Sequence, residues 1–249
     1  MTAHQAPLDK TISIFQPLDA STPHEVDRHY RQVHTRFARN FLREMPQVMS
    51  YHISRAEAEF DLNGRWNQRP RAFRFIVMRF QPGRSLEAPD ALRRAIVQDH
   101  RTFLRELRAF HVLEETVVDR LAGQTALQKY VFEFERPAEV SAEQAAAHIV
   151  QALGVLREQA GAAFGLRQVL VNHVLSEGEV AAVDEPGQRP TGQLLPSTTR
   201  QAFLECYFDQ QEWAEDWFAR PEVRAIVTDP FWALARGSRV DEQCGLDRR

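Results

Sequence analysis

Three short segments recur in the same order along the 249-residue chain, and this repetition constrains the fold more than any other feature. KTISIFQP (10–17) is matched by KYVFEFERP (129–137); each is a lysine followed by an alternating, β-prone run that ends at proline. VMSYHIS (48–54) is matched by VLVNHVLS (169–176), which sets His52 opposite His173. RAIVQD (94–99) is matched by RAIVTD (224–229). The spacing drifts once, at the Pro/Gly-rich stretch EPGQRPTGQLLPST (185–198), which reads as an inserted loop. The chain is therefore read as a duplicated unit, 1–122 and 123–249.

Each unit has a readable order. Residues 10–18 alternate as a strand, Ser21 is placed to cap a helix, and Val26, Tyr30, Val33, Phe37 and Phe41 recur at helical spacing over 22–45. Strands are expected at 47–60 and 71–80, with Asn63-Gly64 as a turn signal between them. A helix over 86–109 and a strand over 111–121 complete the unit. In the second half a strand over 127–136 precedes Ser141–Gln144, a capping-box pattern that opens a helix to about 164. Strands at 167–184 and 199–208, a helix over 210–228 and a short strand at 231–240 follow.

Two β-α-β-β-α-β units are two ferredoxin-like folds. The expected class is α+β: tandem ferredoxin-like repeats packed sheet to sheet, an intrachain dimeric α+β barrel. Tyr130, Phe132 and Phe134 share one face of their strand, and Val131, Glu133 and Glu135 share the other.

Two segments resemble a known family. Asp27-Arg-His-Tyr30-Arg-Gln-Val-His34 is similar to the opening helix of EthD-type dimeric α+β barrel proteins, and FLECYFDQQEWAEDWFARPEV (203–223) resembles their strand–helix signature. The first departs from the family pattern at Thr35, where proline usually stands, and the second half has no histidine matching His34; Gly154 falls near that place. The resemblance implies a pocket bounded by sheet and helices. The relatives it implies are cofactor-independent cyclases, isomerases, lyases and monooxygenases, together with accessory proteins, so fold alone does not select the chemistry.

Tyr30 and His34 are four residues apart and share a helix face. A neutral imidazole there could accept a proton from a carbon acid. His52 and His173, the strand histidines, are expected either to hydrogen-bond across the sheet or, one or the other, to assist at the pocket. Trp213 and Trp217, on the last long helix, are expected to pack on the sheet or wall a pocket. Trp66, with Arg65, Arg69 and Arg71 around it, marks a hairpin tip. His24, His29 and His34 are spaced by five, which on an α-helix separates successive side chains by about 140°, so they do not form a metal site. With no HExxH or paired-cysteine motif, no metal is expected, and no haem or other cofactor either.

The remaining composition excludes rather than selects. Lys+Arg 31 against Asp+Glu 34 gives a net charge of -3, with no excess to neutralise phosphates, so nucleic acid is not an expected partner. No apolar run reaches the roughly 20 residues of a membrane span, and the N-terminus lacks a secretory pattern. With Cys206 and Cys244 the only cysteines, the expectation is a cytoplasmic protein with reduced thiols. Lys10 and Lys129 are the only lysines, a skew read as coding bias. Two functions follow. One is a cofactor-independent enzyme acting on a small apolar, aromatic or carbonyl compound. The other is a non-catalytic binding or accessory protein, and either would be a monomer (pseudo-dimer) or a homodimer.

Overall fold

A computed structural model describes residues 9–19, 21–60, 66–67, 74–85, 89–123, 126–179, 194–195 and 198–248. The turn at Asn63-Gly64, the residues Arg65, Arg69 and Arg71, the side chain of Trp66 and most of the 185–198 insertion lie outside them.

The first half runs β1 (Asp9–Pro17), α1 (Pro23–His29), a π-helical turn (Tyr30–His34), α2 (Thr35–Arg43), β2 (Val48–Phe60), β3 (Trp66–Asn67), β4 (Arg74–Phe80), α3 (Asp90–His100) and β5 (Leu104–Asp119). The second runs β6 (Gln128–Glu135), α4 (Ala142–Ala160), β7 (Leu166–Glu179), β8 (Leu194–Leu195), β9 (Arg200–Phe208), α5 (Gln211–Ala219), α6 (Pro221–Val227) and β10 (Leu234–Asp247). Thr22, not Ser21, caps α1: its side chain accepts from the Glu25 backbone while Glu25 reaches back, and Pro23 opens the helix. The Ser141–Gln144 capping box forms as the sequence predicts.

Three boundaries differ from the sequence reading. Helix α3 ends at His100 rather than running to 109. Leu104, Leu107 and Phe110 mimic helical spacing, but β1 has an edge to satisfy, and β5 pairs with it from Leu104 to Val112. The expected 210–228 helix breaks at Pro221, because the residue before a proline is pushed out of the helical region; Arg220 is extended at ψ 134°. The last strand is long, not short, since it pairs on both sides, with β6 and with β2.

The sheet order is β10-β6-β9-β7-β5-β1-β4-β2, and β10 pairs again with β2, so eight antiparallel strands close into a barrel. Each half contributes four neighbours in the same relative order. The expected sheet-to-sheet packing is corrected here. The two sheets join edge to edge, through β5–β7 and β10–β2. Open edges would leave a row of unpaired backbone groups, and closure pairs them. Gly237 makes the β10 crossing possible, for a Cβ there would come within 2.2 Å of the Phe132 ring.

Three apolar clusters follow. Tyr130, Phe132 and Phe134 face α4–α6 with Trp217 and Phe218; Tyr51, Ile53, Ile76 and Met78 face α1–α3; Ile12, Ile14, Phe75, Val77, Phe110, Val131 and Phe203 fill the barrel itself. No helix among the described residues is long and apolar enough to cross a membrane.

Candidate functional site

The helix–sheet layer of the first half carries a buried polar constellation. Thr35 builds it. Its backbone N–H reaches the Tyr30 carbonyl, an i→i+5 bond, and its hydroxyl donates to the same oxygen at 2.8 Å. This inserts a π-turn into an otherwise α-helical segment, a feature frequent at functional sites. The expectation that side chains spaced by five cannot converge therefore fails for His29 and His34. In the π-turn they nearly eclipse, and both reach Asp99: His29 Nε2 lies 2.9 Å from Oδ1 and His34 Nδ1 2.6 Å from Oδ2. A proline at 35 would have no N–H to give.

Around this pair the packing is aromatic. The His34 ring lies 4.8 Å from Tyr30, 5.0 Å from His100 and 5.3 Å from Phe103, centroid to centroid, with Phe15 at 6.3 Å. The Tyr30 and Tyr51 hydroxyls are 3.1 Å apart. The buried Arg74 guanidinium sits 4.0 Å above the Tyr30 ring and is paired to Asp27. Burial would raise the Asp99 carboxyl, but the hydrogen bonds from His34 and His29 outweigh it and hold it below the usual value. Burial, reinforced by the neighbouring His34 ring, drives His100 down to about 3, so it is neutral near pH 7. Burial likewise raises Tyr30 well above the usual phenol and Tyr51 to about 12, leaving two neutral hydroxyl donors.

The corresponding layer of the second half is different. His148 on α4 binds Asp229 at 2.6 Å and stacks on Phe231, much as His29 binds Asp99 and lies against Phe103. Both aspartates end the repeated segments RAIVQD and RAIVTD. One and five positions after His148, however, stand Ile149 and Leu153, where the first half has Tyr30 and His34. They line an apolar void of ≈ 20 Å³ with Phe134, Val171 and Trp232, room for about one water.

His52 and His173 do not join Tyr30 and His34. β2 enters its pairing with Val48 opposite Phe80, and β7 with Leu166 opposite Phe208. His52 is four residues past that start and His173 seven, so they point to opposite sides of the barrel wall. His52 faces inward, its Nδ1 3.8 Å from Glu242. His173 faces outward to Glu115 at 3.0 Å, which also holds Arg157 of α4. The sequence match had aligned them three residues out of register.

Sequence reading missed the barrel end. Lys10 and Lys129 are both buried there, at matching positions of β1 and β6. Lys10 binds Glu114 and Glu205; Lys129 binds Glu205 at 2.7 Å and Glu242. Arg79, Tyr207 and Asn172 close the network. Burial opposes each charge, yet the neighbours outweigh it: Lys10, Lys129 and Arg79 hold Glu205 well below the usual range, and Glu205 and Glu242 hold Lys129 well above its own. The lysine skew thus has a structural correlate that coding bias does not supply. The signal was present, since the only two lysines open the two matched strands. Cys206 is buried and burial raises its thiol, so it is no nucleophile. Trp217 packs on Phe208 and Phe218, while Trp213 packs edge-on against Phe164.

No protein-family model matches the chain, and no curated protein does. Among solved structures it is similar to an anthrone oxidase-like protein, 11% identical, with 98% of this chain and 96% of that one covered and a TM-score of 0.59. It is also similar to a protein proposed to be a monooxygenase from Fusobacterium nucleatum subsp. nucleatum, 7% identical, covering 96% and 94%, with a TM-score of 0.51. The chain has the dimeric α+β barrel type of fold.

Proposed function

We propose that the chain is an enzyme that removes a proton from a small apolar carbon acid, an aromatic or carbonyl compound, with His34 as base. The observation that carries this reading is the asymmetry between the two helix–sheet layers. The second half fills its layer with Ile149 and Leu153, whereas the first buries Tyr30 and His34, with the half-buried His100, around Asp99. A core does not need these groups, and burying them costs stability unless they are paired. Asp99 fixes the His34 ring through Nδ1, which leaves Nε2 as the proton acceptor. The C–H bond breaks, the proton goes to Nε2, and the electron pair remains as an enolate. The neutral Tyr30 and Tyr51 hydroxyls are the donors for its oxygen. The dyad supplies the base itself, so this step calls on no cofactor. The name of the anthrone oxidase-like neighbour is in keeping with an aryl ketone substrate. His34 is covered by Phe15, Phe103 and His100, so binding displaces a ring. Phe103, on the turn between α3 and β5, is the one this reading moves.

The same close packing favours the second reading, a non-catalytic binding or accessory protein. The two separate in an exchange experiment. Aryl ketones incubated with the protein in D2O are followed by proton NMR. The enzyme reading expects catalysed exchange that His34→Ala lowers by roughly 10²–10⁴, with Asp99→Asn intermediate. Equal exchange in folded His34→Ala removes the enzyme reading.

We also infer that the chain is a tandem pair of ferredoxin-like repeats, 1–122 and 123–249, of EthD type. The shared strand order, the matched Lys10 and Lys129 and the paired His29–Asp99 and His148–Asp229 contacts support the duplication, and the EthD type rests on the two resembling segments, 27–34 and 203–223. With both sheet edges joined inside one chain, a monomer suffices to complete the barrel.

A further inference from the structure

A second constellation lies where β10 closes onto β2, away from the His34 layer. Cys244 pairs with His52 across the two strands, Leu246 with Tyr51 and Asp247 with Ser50. Residues three apart on a regular strand face opposite sides. The one-residue irregularity at Gly245 changes that parity and turns Cys244 and Asp247 to the side of His52. One ligand atom from each of His52, Cys244 and Asp247 lies within 4.8 Å of the others.

The donors are an imidazole nitrogen, a thiol sulfur and a carboxylate oxygen. That set suits a borderline cation such as Zn2+, whereas Mg2+ and Ca2+ take oxygen ligands. A second feature points the same way. Glu242 has one oxygen engaged by Lys129 and by Ser54 at 3.4 Å, and its other oxygen lies 3.8 Å from His52 Nδ1. A carboxylate beside the imidazole is the usual partner that orients a metal-ligating histidine. The strand end is also anchored. The Arg248 backbone N–H donates to Met49, and its guanidinium donates to the carbonyls of Leu42, Arg43, Met45 and Val48.

We propose that His52, Cys244 and Asp247 bind one zinc-class divalent cation, with Glu242 orienting His52 and a fourth position open to water. Binding deprotonates the Cys244 thiol, and the proton leaves to solvent. The ion staples the C-terminal strand across the closing seam of the barrel.

The chain offers a clean test, because Cys206 is buried and Cys244 is exposed. Full-length protein is treated with chelator and titrated with Co2+, then Zn2+. The expected result is a near-ultraviolet thiolate-to-cobalt band that saturates at one ion per chain and is bleached by Zn2+. Cys244→Ser abolishes the band, and His52→Ala or Asp247→Asn weakens binding at least tenfold (~1.4 kcal/mol). Zn2+ also slows alkylation of Cys244 in the unsubstituted protein, a readout that needs no variant to fold. Absence of the band, or a band that survives in Cys244→Ser, overturns the proposal; so does alkylation that Zn2+ leaves unchanged.

Discussion

Glu205→Val is the most informative single change to the barrel interior. Glu205 pairs with Val131 on β6 as Val77 pairs with Ile12 on β1, so valine is the residue the first half already uses at that position. The substitution removes a carboxylate shared by two buried ammonium groups, and the Asn172 amide and Tyr207 hydroxyl lose their acceptor. Breaking a buried pair by deleting one partner costs about 3–5 kcal/mol. Lys10 keeps Glu114 and Lys129 keeps Glu242, which places the loss near the lower end, about 3 kcal/mol. For a chain of this size about 2–4 °C is lost per kcal/mol, so Tm should fall by roughly 6–12 °C. Circular dichroism and tryptophan fluorescence, followed on heating, measure it. A companion variant, Lys10→Met/Glu205→Leu/Lys129→Met, should recover part of the loss, since apolar groups replace the three most buried charges while Glu114 keeps Arg79 and Glu242 loses Lys129. The pH dependence gives a second reading. Because Glu205 is depressed in the folded chain, its contribution stands above the unfolded value of about 4.3 and is lost as pH falls through its folded value. Glu205→Val should therefore flatten the acid limb of the stability curve. Lys129 is raised, so its contribution stands below about 10.4 and is lost as pH rises through the folded value. A single variant within about 1 kcal/mol of the parent would refute the reasoning, placing it among ordinary surface substitutions.

His100 titrates near 3 when folded and near 6.5 when unfolded, so between these values the unfolded chain binds the extra proton. Its burial should cost about 1.4 kcal/mol of stability per pH unit as pH falls through that window, and His100→Phe should flatten the slope in pH-dependent melting; an unchanged slope would count against the neutral buried imidazole. Gly237→Ala should cost about 1–3 kcal/mol, because its Cβ meets the Phe132 ring at the closing seam, and thermal melting at parental levels would show that the ring yields freely. Thr35→Pro should lose the i→i+5 bond and separate His29 from His34, while Thr35→Val keeps the N–H. The low-field His34 Nδ1–H resonance, expected to persist in the valine variant and vanish in the proline one, reports the difference.

Much of this protein is legible in the amino-acid order. Alternation and helical spacing locate most strands and helices, Ser141–Gln144 announces its helix, and two recurrent segments end in the aspartates that bind His34, His29 and His148. Tyr30 and His34 are identifiable from their spacing and lie together as expected. Tertiary structure decided the rest. Whether 101–110 is helix or strand depended on the unpaired edge of β1, which lies far away in sequence. The short match around His52 and His173 hid a slip of three residues, because hydrogen-bond register, not similarity of letters, sets which side of a barrel wall a residue faces. The convergence of His29 and His34 required one extra residue in a helical turn, and the meeting of His52, Cys244 and Asp247 required one extra residue in a strand. Local periodicity can be read from a sequence because it depends on neighbours along the chain. Register, bulges and barrel closure depend on distant partners competing for the same backbone hydrogen bonds, and only the folded chain settles that competition.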